Sequence, residues 1–349
     1  MGNSSFTRAR VVLFAMIAAV VVGLCGLNIS CGTSPAWGIT EYAIPTAQSS
    51  PEGITIGPDG AIWFTEGHVN KIGRISPTGR ITEYVIPTAA SSPAGITSGP
   101  DGALWFTEYG ANKIGRVTTR GEFTEFSIPT AGSSPAGITS GPDGALWFTE
   151  TYGNKIGRMS TTGQFKEYST PNPRTFPEAI TKGPDGALWF VEPDPNNSIG
   201  RVTTQGRFTE YKIPTAKSIP NEITNGPDGA IWFTEAGKEI KGASKVGRVT
   251  TTGEFTEFNV PNADRDLFGI TTGSDGALWF CENAGNKVAR MTTSGSITEY
   301  VTPTVKTKIT NGVIFGSSPT YITAGPANTI WFTENEVNKV GVLRRTAGN

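Results

Sequence analysis

The chain has 349 residues, with 29 basic and 30 acidic side chains, one histidine and a formal net charge of −1 at pH 7. This balance provides no basic surface for nucleic acid or an anionic membrane, so we exclude both as partners of the folded part. The sequence has only three cysteines, two of them within the first 31 residues, so a disulfide-dependent fold is excluded as well.

Residues 1–36 are predicted to be a targeting segment. A short basic head, Arg8 and Arg10, precedes the apolar run Val11–Leu27, and small residues end at Ala36, a candidate cleavage site. An uncleaved membrane anchor is the alternative, since seventeen residues are barely enough to cross a bilayer. A lipid on Cys31 is disfavoured by its upstream residues. We expect an exported protein, free or anchored, whose only membrane contact is this segment.

The remainder, residues 37–349, is predicted to be one all-β domain because it repeats. Each unit carries a tryptophan and four short β-like runs separated by Gly-containing turns, and no stretch has helical periodicity. Four strands in about 42 residues, repeated radially, are typical of a β-propeller. The repeat tryptophans are Trp63, Trp105, Trp147, Trp189, Trp232, Trp279 and Trp331.

Counting the runs predicts seven blades and their closure. The last unit has no fourth strand after Leu343, whereas Ile39–Tyr42 (residues 39–42) precedes every other element. We therefore expect this N-terminal strand to complete the seventh blade and remove the open edge. We expect each tryptophan to pack between adjacent blades, in a protein that is a monomer.

We predict structural roles for two sets of charged residues that recur in the repeat. A two-residue turn between the third and fourth strands would place Arg116 opposite Glu125, as a cross-strand pair repeated around the ring. The glutamate that ends each GPDGALWFTE-type segment, such as Glu108, is expected near the loops, where a loop amide or a lysine could meet it.

Function is predicted at one end of the ring. The loops between second and third strands share a face with the crossovers between blades, and variation concentrates there: an expanded loop at 236–244, a long crossover around 304–316, and the sole histidine, His68. We call this end the variable face. A small-molecule, glycan or protein ligand is expected there.

The residue just before each first-strand G-I-T-type triplet is expected to surround the channel mouth. Two carboxylates, an amide, a hydroxyl and an aromatic ring at this mouth position could hold a cation through Glu52, Glu178 and Asn221, or orient a polar ligand. The two glutamates could equally be solvated side chains of a water-filled funnel. In blade order the mouth positions are Glu52, Ala94, Ala136, Glu178, Asn221, Phe268 and Thr320.

The segment ITEYVIPTAASSPAGITSGPDGALWFTEYGANKIGRVTTRGEFTEF resembles the virginiamycin B lyase (streptogramin B lyase) family. The resemblance extends from Ile39 to about Leu343, with the elements in the family's order. It implies a seven-bladed propeller and a Mg²⁺-dependent elimination that opens a cyclic depsipeptide at its ester linkage without water.

The resemblance also implies a catalytic set that this chain does not match. The family has histidines at the mouth positions of its last two blades, where this chain has Phe268 and Thr320. Neither side chain can act as a base at neutral pH. The family's glutamate falls at Asn335, between Glu334 and Glu336. His68, in blade one, is interpreted as a surface-loop residue.

Three functions remain open. The first is a non-catalytic propeller that binds a ligand at the variable face, which the residues favour. The second is a Mg²⁺-dependent lyase with a rearranged site, in which Glu334, Glu336 or Glu178 acts as base. The third is a lactonase-like hydrolase with Ca²⁺ held by Glu52, Glu178 and Asn221, as in similar propellers.

Overall fold

The computed structural model describes residues 37–346 except 194, 238–243, 262–266, 305–307 and 311–312. Seven four-stranded antiparallel sheets follow one another along the chain. In the first six, the strands lie in sequence order from the inside outward, and in the seventh the N-terminal strand lies outermost. The prediction of a seven-bladed all-β propeller is confirmed.

The two inner strands of each blade flank the GPDG-type turn. The first strands, which contact one another around the axis, are Pro51–Ile56, Pro93–Ser98, Pro135–Ser140, Ile180–Lys182, Pro220–Asn225, Leu267–Thr272 and Pro319–Gly325. The second strands, which carry the tryptophans, are Ile62–Glu66, Leu104–Glu108, Leu146–Glu150, Leu188–Glu192, Ile231–Glu235, Leu278–Glu282 and Thr329–Glu334.

The two outer strands complete each blade. The third strands are Lys71–Ile75, Lys113–Val117, Lys155–Met159, Ser198–Val202, Lys245–Val249, Lys287–Met291 and Lys339–Arg345. The fourth strands of the first six blades are Ile81–Val85, Phe123–Ser127, Phe165–Ser169, Phe208–Lys212, Phe255–Asn259 and Ile297–Val301. A small hairpin, Lys308–Thr310 with Val313–Phe315, lies in the last crossover, and short 3₁₀ turns cover Pro326–Asn328 and Asn335–Val337.

The N-terminal strand closes the ring, as predicted. Trp37–Ala43 pairs antiparallel with Lys339–Arg345, with Ile39 opposite Leu343. The junction is locked by Asn338, whose side-chain oxygen accepts hydrogen bonds from the Ser49 amide and hydroxyl, both at 2.7 Å. The same asparagine clamp recurs inside the ring, so closure uses the ordinary inter-blade contact rather than a special one.

The core lies between adjacent blades, which confirms the predicted place of the tryptophans. Trp63 of blade 1 is fully buried and belongs to one cluster with Leu104 and Phe106 of blade 2. Its ring also stacks on Tyr84, with centroids 5.6 Å apart. Cys281 fills a similar buried position between blades 6 and 7. Each blade therefore needs its neighbour to cover its apolar face.

The predicted Arg–Glu pairing is wrong. Arg116 lies opposite Thr124, and its Nε instead donates to Asp101 of the GPDG turn at 2.7 Å. The other oxygen of Asp101 accepts the Trp105 indole N–H at 2.8 Å. The hairpin has three loop residues, ending at Gly121 with φ +89°, rather than two. A one-residue change in register places Glu125 on the opposite face of the sheet from Arg116.

The fourth-strand glutamates, which do not pair with the arginines, connect neighbouring blades instead. Glu125 accepts hydrogen bonds from the Thr88 amide at 3.1 Å and hydroxyl at 2.9 Å, in the crossover that enters blade 2. Lys113 approaches the same carboxylate at 3.5 Å. Glu41 repeats the arrangement with Thr304 and Lys339 across the ring closure.

The glutamates that end the second strands are buried. One of them meets a lysine as expected, since Glu282 Oε2 lies 4.0 Å from Lys287 Nζ. None of the seven carboxylates accepts a hydrogen bond from a described residue. Burial, with a nearby fourth-strand carboxylate, raises their pKa values from 4.5 to about 7 or about 8. They are Glu66, Glu108, Glu150, Glu192, Glu235, Glu282 and Glu334.

Some expectations concern residues outside the described part. The predicted targeting segment, residues 1–36, and most of the expanded loop, residues 238–243, are among them. In the part that is described, no helix has the length and apolar character needed to span a membrane.

We expect Asp101→Ala to lower the free energy of unfolding by about 1–3 kcal/mol, because it leaves the buried Trp105 indole N–H without an acceptor. Urea denaturation would measure the loss. The control is Glu254→Ala, an exposed hairpin residue, which should change the free energy by less than about 0.5 kcal/mol. Equal effects of the two changes would contradict a structural role for the Trp–Asp–Arg contact.

The buried glutamates should make the protein less stable at alkaline pH. Their pKa values in the folded state are raised. Their contribution to folding stability is therefore fully present below the unfolded-state pKa of 4.5, and it is lost as pH rises through about 7 to about 8. Melting temperatures across this range should therefore fall. Glu150→Gln, which mimics the protonated side chain, should flatten the decline; an unchanged slope would show that Glu150 is not protonated in the folded state.

Candidate functional site

A cavity of about 470 Å³ opens on the variable face at the inner ends of the blades. Its wall combines mouth-position residues with loops of blades 1, 2 and 3. Glu52, Glu178 and Asn221, the predicted ligand or metal residues, all line it. The sequence therefore identified three side chains that the fold brings to one cavity.

The inner strands approach so closely that four blades have room only for glycine at the first triplet position. A Cβ at Gly53 or Gly269 would lie within 2.8 Å of the carbonyl oxygen of the next blade's mouth residue, and the same holds at Gly95 and Gly137. The strand is bulged there, at the start of its pairing with the second strand.

A threonine in the second strand holds several of these mouth residues in place. The Thr149 hydroxyl donates to the Glu178 carbonyl oxygen at 2.6 Å, and Thr65 and Thr107 make the same bond to Ala94 and Ala136, both at 2.7 Å. The backbone of Glu178 is thus positioned by blade 3. Asn221 is fixed through its side chain, whose Nδ2 donates to the Leu267 carbonyl oxygen at 2.8 Å.

Two important cavity residues were missed by the sequence reasoning. Glu222 and Tyr321 occupy the triplet position that is glycine in four blades, and both line the cavity. The signal was present, since PNEIT and PTYIT depart from the repeated PxGIT. Both residues lie one position after the mouth residues of their blades, Asn221 and Thr320.

The cavity carboxyl groups have unusual protonation properties. Burial raises the pKa of Glu52 to about 7, and burial together with the Glu178 charge raises the pKa of Glu222 to about 8. Burial and the three surrounding carboxylates hold the pKa of Tyr321 well above its ordinary range. These glutamates can therefore accept or release a proton near neutral pH.

The rim of the cavity is aromatic. Tyr109 and Tyr152, from the second-to-third loops of blades 2 and 3, line it beside the exposed His68. Phe176 meets the Tyr152 ring edge-on, with centroids 5.9 Å apart. The loop sequences gave no repeat-based reason to single out these tyrosines.

The other two mouth residues do not line this cavity. Phe268 packs against the core cluster between blades 6 and 7. Thr320 is buried, donates to the Ser318 carbonyl oxygen at 2.9 Å and lies 3.3 Å from the Asn283 amide nitrogen. The cavity is consequently displaced from the two positions at which the family resemblance places histidines.

A second pocket of about 490 Å³ lies between blades 7 and 1. His68, Asn335 and Glu336 line it together, and Asn335 donates to the Ser50 hydroxyl at 2.9 Å. His68 lines both pockets. The sequence did not predict that this histidine neighbours the Asn335 loop. Glu334, in contrast, has no solvent-exposed surface.

The part of the chain described here contains no group of three or more His, Cys, Asp or Glu side chains that could hold the magnesium ion that the family resemblance implies. It remains a prediction that a metal ion is bound by Glu52, Glu178 and Asn221.

A family model described as the virginiamycin B lyase family matches residues 37–242 and 239–348. The chain belongs to this family. At the two positions where the resemblance implies histidines, this member of the family has Phe268 and Thr320.

Solved structures of relatives agree with this membership. A streptogramin B lyase is 38% identical, with 89% of this chain and 98% of that chain covered and a TM-score of 0.80. Selenomethionine-substituted virginiamycin B lyase from Staphylococcus aureus is 41% identical, with 88% and 99% covered and a TM-score of 0.79. A catalytically inactive histidine-to-alanine variant of the Staphylococcus aureus enzyme with quinupristin is 40% identical, with 88% and 99% covered and a TM-score of 0.79.

We expect Glu222→Gln to stabilise the protein above pH 8, where the native carboxylate is charged beside Glu178. The gain should be on the order of 1 kcal/mol and should vanish near pH 5, where the Glu222 carboxyl group is protonated and therefore neutral. Chemical denaturation at the two pH values measures it. A gain of equal size at both would mean that charge is not the cause.

Proposed function

We propose that the protein binds a small molecule in the cavity at its channel mouth. The observation that carries this proposal is the meeting of non-repeating side chains in one cavity of a scaffold that otherwise repeats. Glu222 and Tyr321 replace glycines, and Glu52, Glu178 and Asn221 replace small residues. A concave site of about 470 Å³ has the size of a typical small-ligand pocket, which favours a small molecule over a protein or glycan chain.

Binding without ring opening is supported by the absence of the family's histidines. The structure of the Staphylococcus aureus relative with quinupristin is of a catalytically inactive histidine-to-alanine variant. This chain has Phe268 and Thr320 at both family histidine positions, and Thr320 is already engaged with Ser318. We infer that elimination by a histidine base at these two positions is not this protein's reaction. Export of the protein is a further part of the proposal and rests on the sequence of residues 1–36 alone.

A rearranged lyase is the second candidate, because His68, Asn335 and Glu336 line one pocket. A histidine near a carboxylate is a usual acid–base pair, and His68 also borders the channel-mouth cavity. In this alternative His68 takes the proton beside the substrate carbonyl and Glu336 or Glu178 supports it. Glu334 is less suited because its side chain is fully buried.

Binding can be tested by filling the cavity. A set of small fragments is screened by ligand-observed NMR against the wild-type protein and against Ala136→Trp, which places an indole in the cavity wall. Fragments that bind the wild type should lose at least about tenfold in affinity to this variant. Gln205→Trp, in an exposed hairpin of blade 4, is the matched control and should bind normally. Equal binding by all three proteins would place the ligand site elsewhere.

Ring opening can be tested separately. The protein is incubated with quinupristin and Mg²⁺, and mass spectrometry follows the linear product, with the Staphylococcus aureus enzyme as positive control. We expect the ring to stay closed. Rapid opening that is lost in His68→Gln would establish the rearranged lyase instead. Ca²⁺ is added in a parallel thermal-unfolding series; a rise in melting temperature that Glu178→Ala abolishes would support the lactonase-like alternative.

A further inference from the structure

We propose that the channel-mouth cavity binds a ligand that has a planar aromatic group, and that this group packs against Tyr109 and Tyr152 at the rim. The inference rests on the proposed function and names the chemical class of the ligand. It is drawn from the way the fold uses its tyrosines and from the backbone conformation of Phe176, whose ring contacts Tyr152.

The tyrosines of the chain form two groups. Five of the eight lie in outermost strands and stack on the repeat tryptophan of their own blade, as Tyr84 does on Trp63 with ring centroids 5.6 Å apart. The other three are Tyr109, Tyr152 and Tyr321, and all of them line the channel-mouth cavity. Packing of the blades therefore accounts for five tyrosines, and the remaining three gather at one site.

Tyr109 and Tyr152 expose their rings at the opening of the cavity. Their exposed fractions are 37% and 65%, and no other tyrosine, phenylalanine or tryptophan whose burial is described is as exposed. Burial, and then the adjacent Tyr152 hydroxyl, raises the pKa of Tyr109, so the two phenol groups are neighbours at the rim. Because these loops come from blades 2 and 3, which lie side by side, one ligand ring can contact both side chains.

Phe176 occupies a position that is serine in four other blades. Each of these residues directly precedes a proline and has left-handed backbone, with φ +44° at Phe176 and between +47° and +51° at the serines. A bulky side chain rarely adopts this conformation, so the phenylalanine is held there at a cost in backbone strain. The four serines are Ser50, Ser92, Ser134 and Ser318.

The ring of Phe176 supports the exposed Tyr152. The two rings meet edge-on, with 80° between their planes and centroids 5.9 Å apart. Strained residues persist where the surrounding structure holds them, and they concentrate at ligand sites. Phe176 therefore has a positioning role, since it fixes the orientation of the Tyr152 ring at the cavity opening.

A planar aromatic group fits this rim better than a saturated group does. Aromatic rings attract one another in offset-stacked and edge-to-face arrangements, beyond the gain from buried area. A saturated ring of similar size covers the same surface without that attraction. Beneath the rim, the cavity of about 470 Å³ has room for the rest of the molecule.

The proposal is tested with two uncharged alcohols of one skeleton, 2-naphthalenemethanol and its saturated analogue decahydro-2-naphthalenemethanol. Titration of the full chain, followed by ligand-observed NMR, gives both affinities. We expect the aromatic alcohol to bind at least about fivefold more tightly. Equal or tighter binding of the saturated alcohol would overturn the aromatic ligand while leaving a small-molecule function in place. No binding of either would overturn it too, and the fragment screen would then decide the proposed function.

Two variants of Tyr152 localise the contact. Tyr152→Leu keeps an apolar side chain but removes the ring, so it should abolish most of the preference for the aromatic alcohol and leave the affinity for the saturated one unchanged. Tyr152→Phe keeps the ring and should keep the preference. A full preference in Tyr152→Leu would refute the assignment. A preference that Ala136→Trp does not weaken would place the aromatic site outside the cavity and would also contradict the proposal.

The positioning role of Phe176 has a matched control in blade 5. Phe176→Ser should fold, because serine adopts this conformation in four blades, and it should reduce the preference for the aromatic alcohol at least about threefold. Phe176→Tyr should restore the preference. Ile219 has the same left-handed backbone, with φ +52°, but is not among the described residues that line the cavity, so Ile219→Ser should leave the preference unchanged. An unchanged preference in Phe176→Ser, or an equal loss in Ile219→Ser, would refute the positioning role.

Discussion

Closure of the ring is the constraint on which the rest of this structure depends. Each blade buries its tryptophan face against the next blade, so an open array would leave one apolar face uncovered at each end. The pairing of Trp37–Ala43 with Lys339–Arg345 removes both ends at once. At the axis the same constraint brings the first strands so close together that Gly53 and its equivalents cannot be replaced without displacing backbone.

The candidate site follows from the few places where this symmetry is broken. Contacts that hold the ring together recur nearly unchanged, including the Asp101 contacts with Trp105 and Arg116 and the Glu125 contact with Thr88. A side chain that recurs in every blade surrounds the axis evenly, so it cannot make one side of the channel mouth different from another. Glu222 and Tyr321 do so because they lie on different blades and project where most blades have hydrogen only, and they give the channel mouth a chemically distinct side.

The sequence predicted the blades, the closing strand and three cavity residues because each leaves a mark at a fixed place in the repeat. It did not predict the partner of Arg116. A two-residue and a three-residue hairpin loop shift the pairing of the two strands by one residue, and the turn residues alone did not show which loop forms. It also missed the tyrosine rim, because Tyr109 and Tyr152 lie in loops whose spatial proximity depends on the order of blades around the axis. The closeness of His68 to Asn335 has the same origin, since blades 1 and 7 are distant in the chain and adjacent in the ring.

The position of the closing strand has a consequence for how the chain acquires its structure during synthesis. Glu41 and Lys339 are separated by 298 residues, so the contact between them can form only after almost the whole propeller has been made. Until then the N-terminal strand has no partner, and the growing array presents a free strand edge. Contacts of such high sequence separation form slowly, and unpaired strands associate readily with other chains. Nascent chains of this protein should accordingly depend on chaperone protection until their last strand emerges.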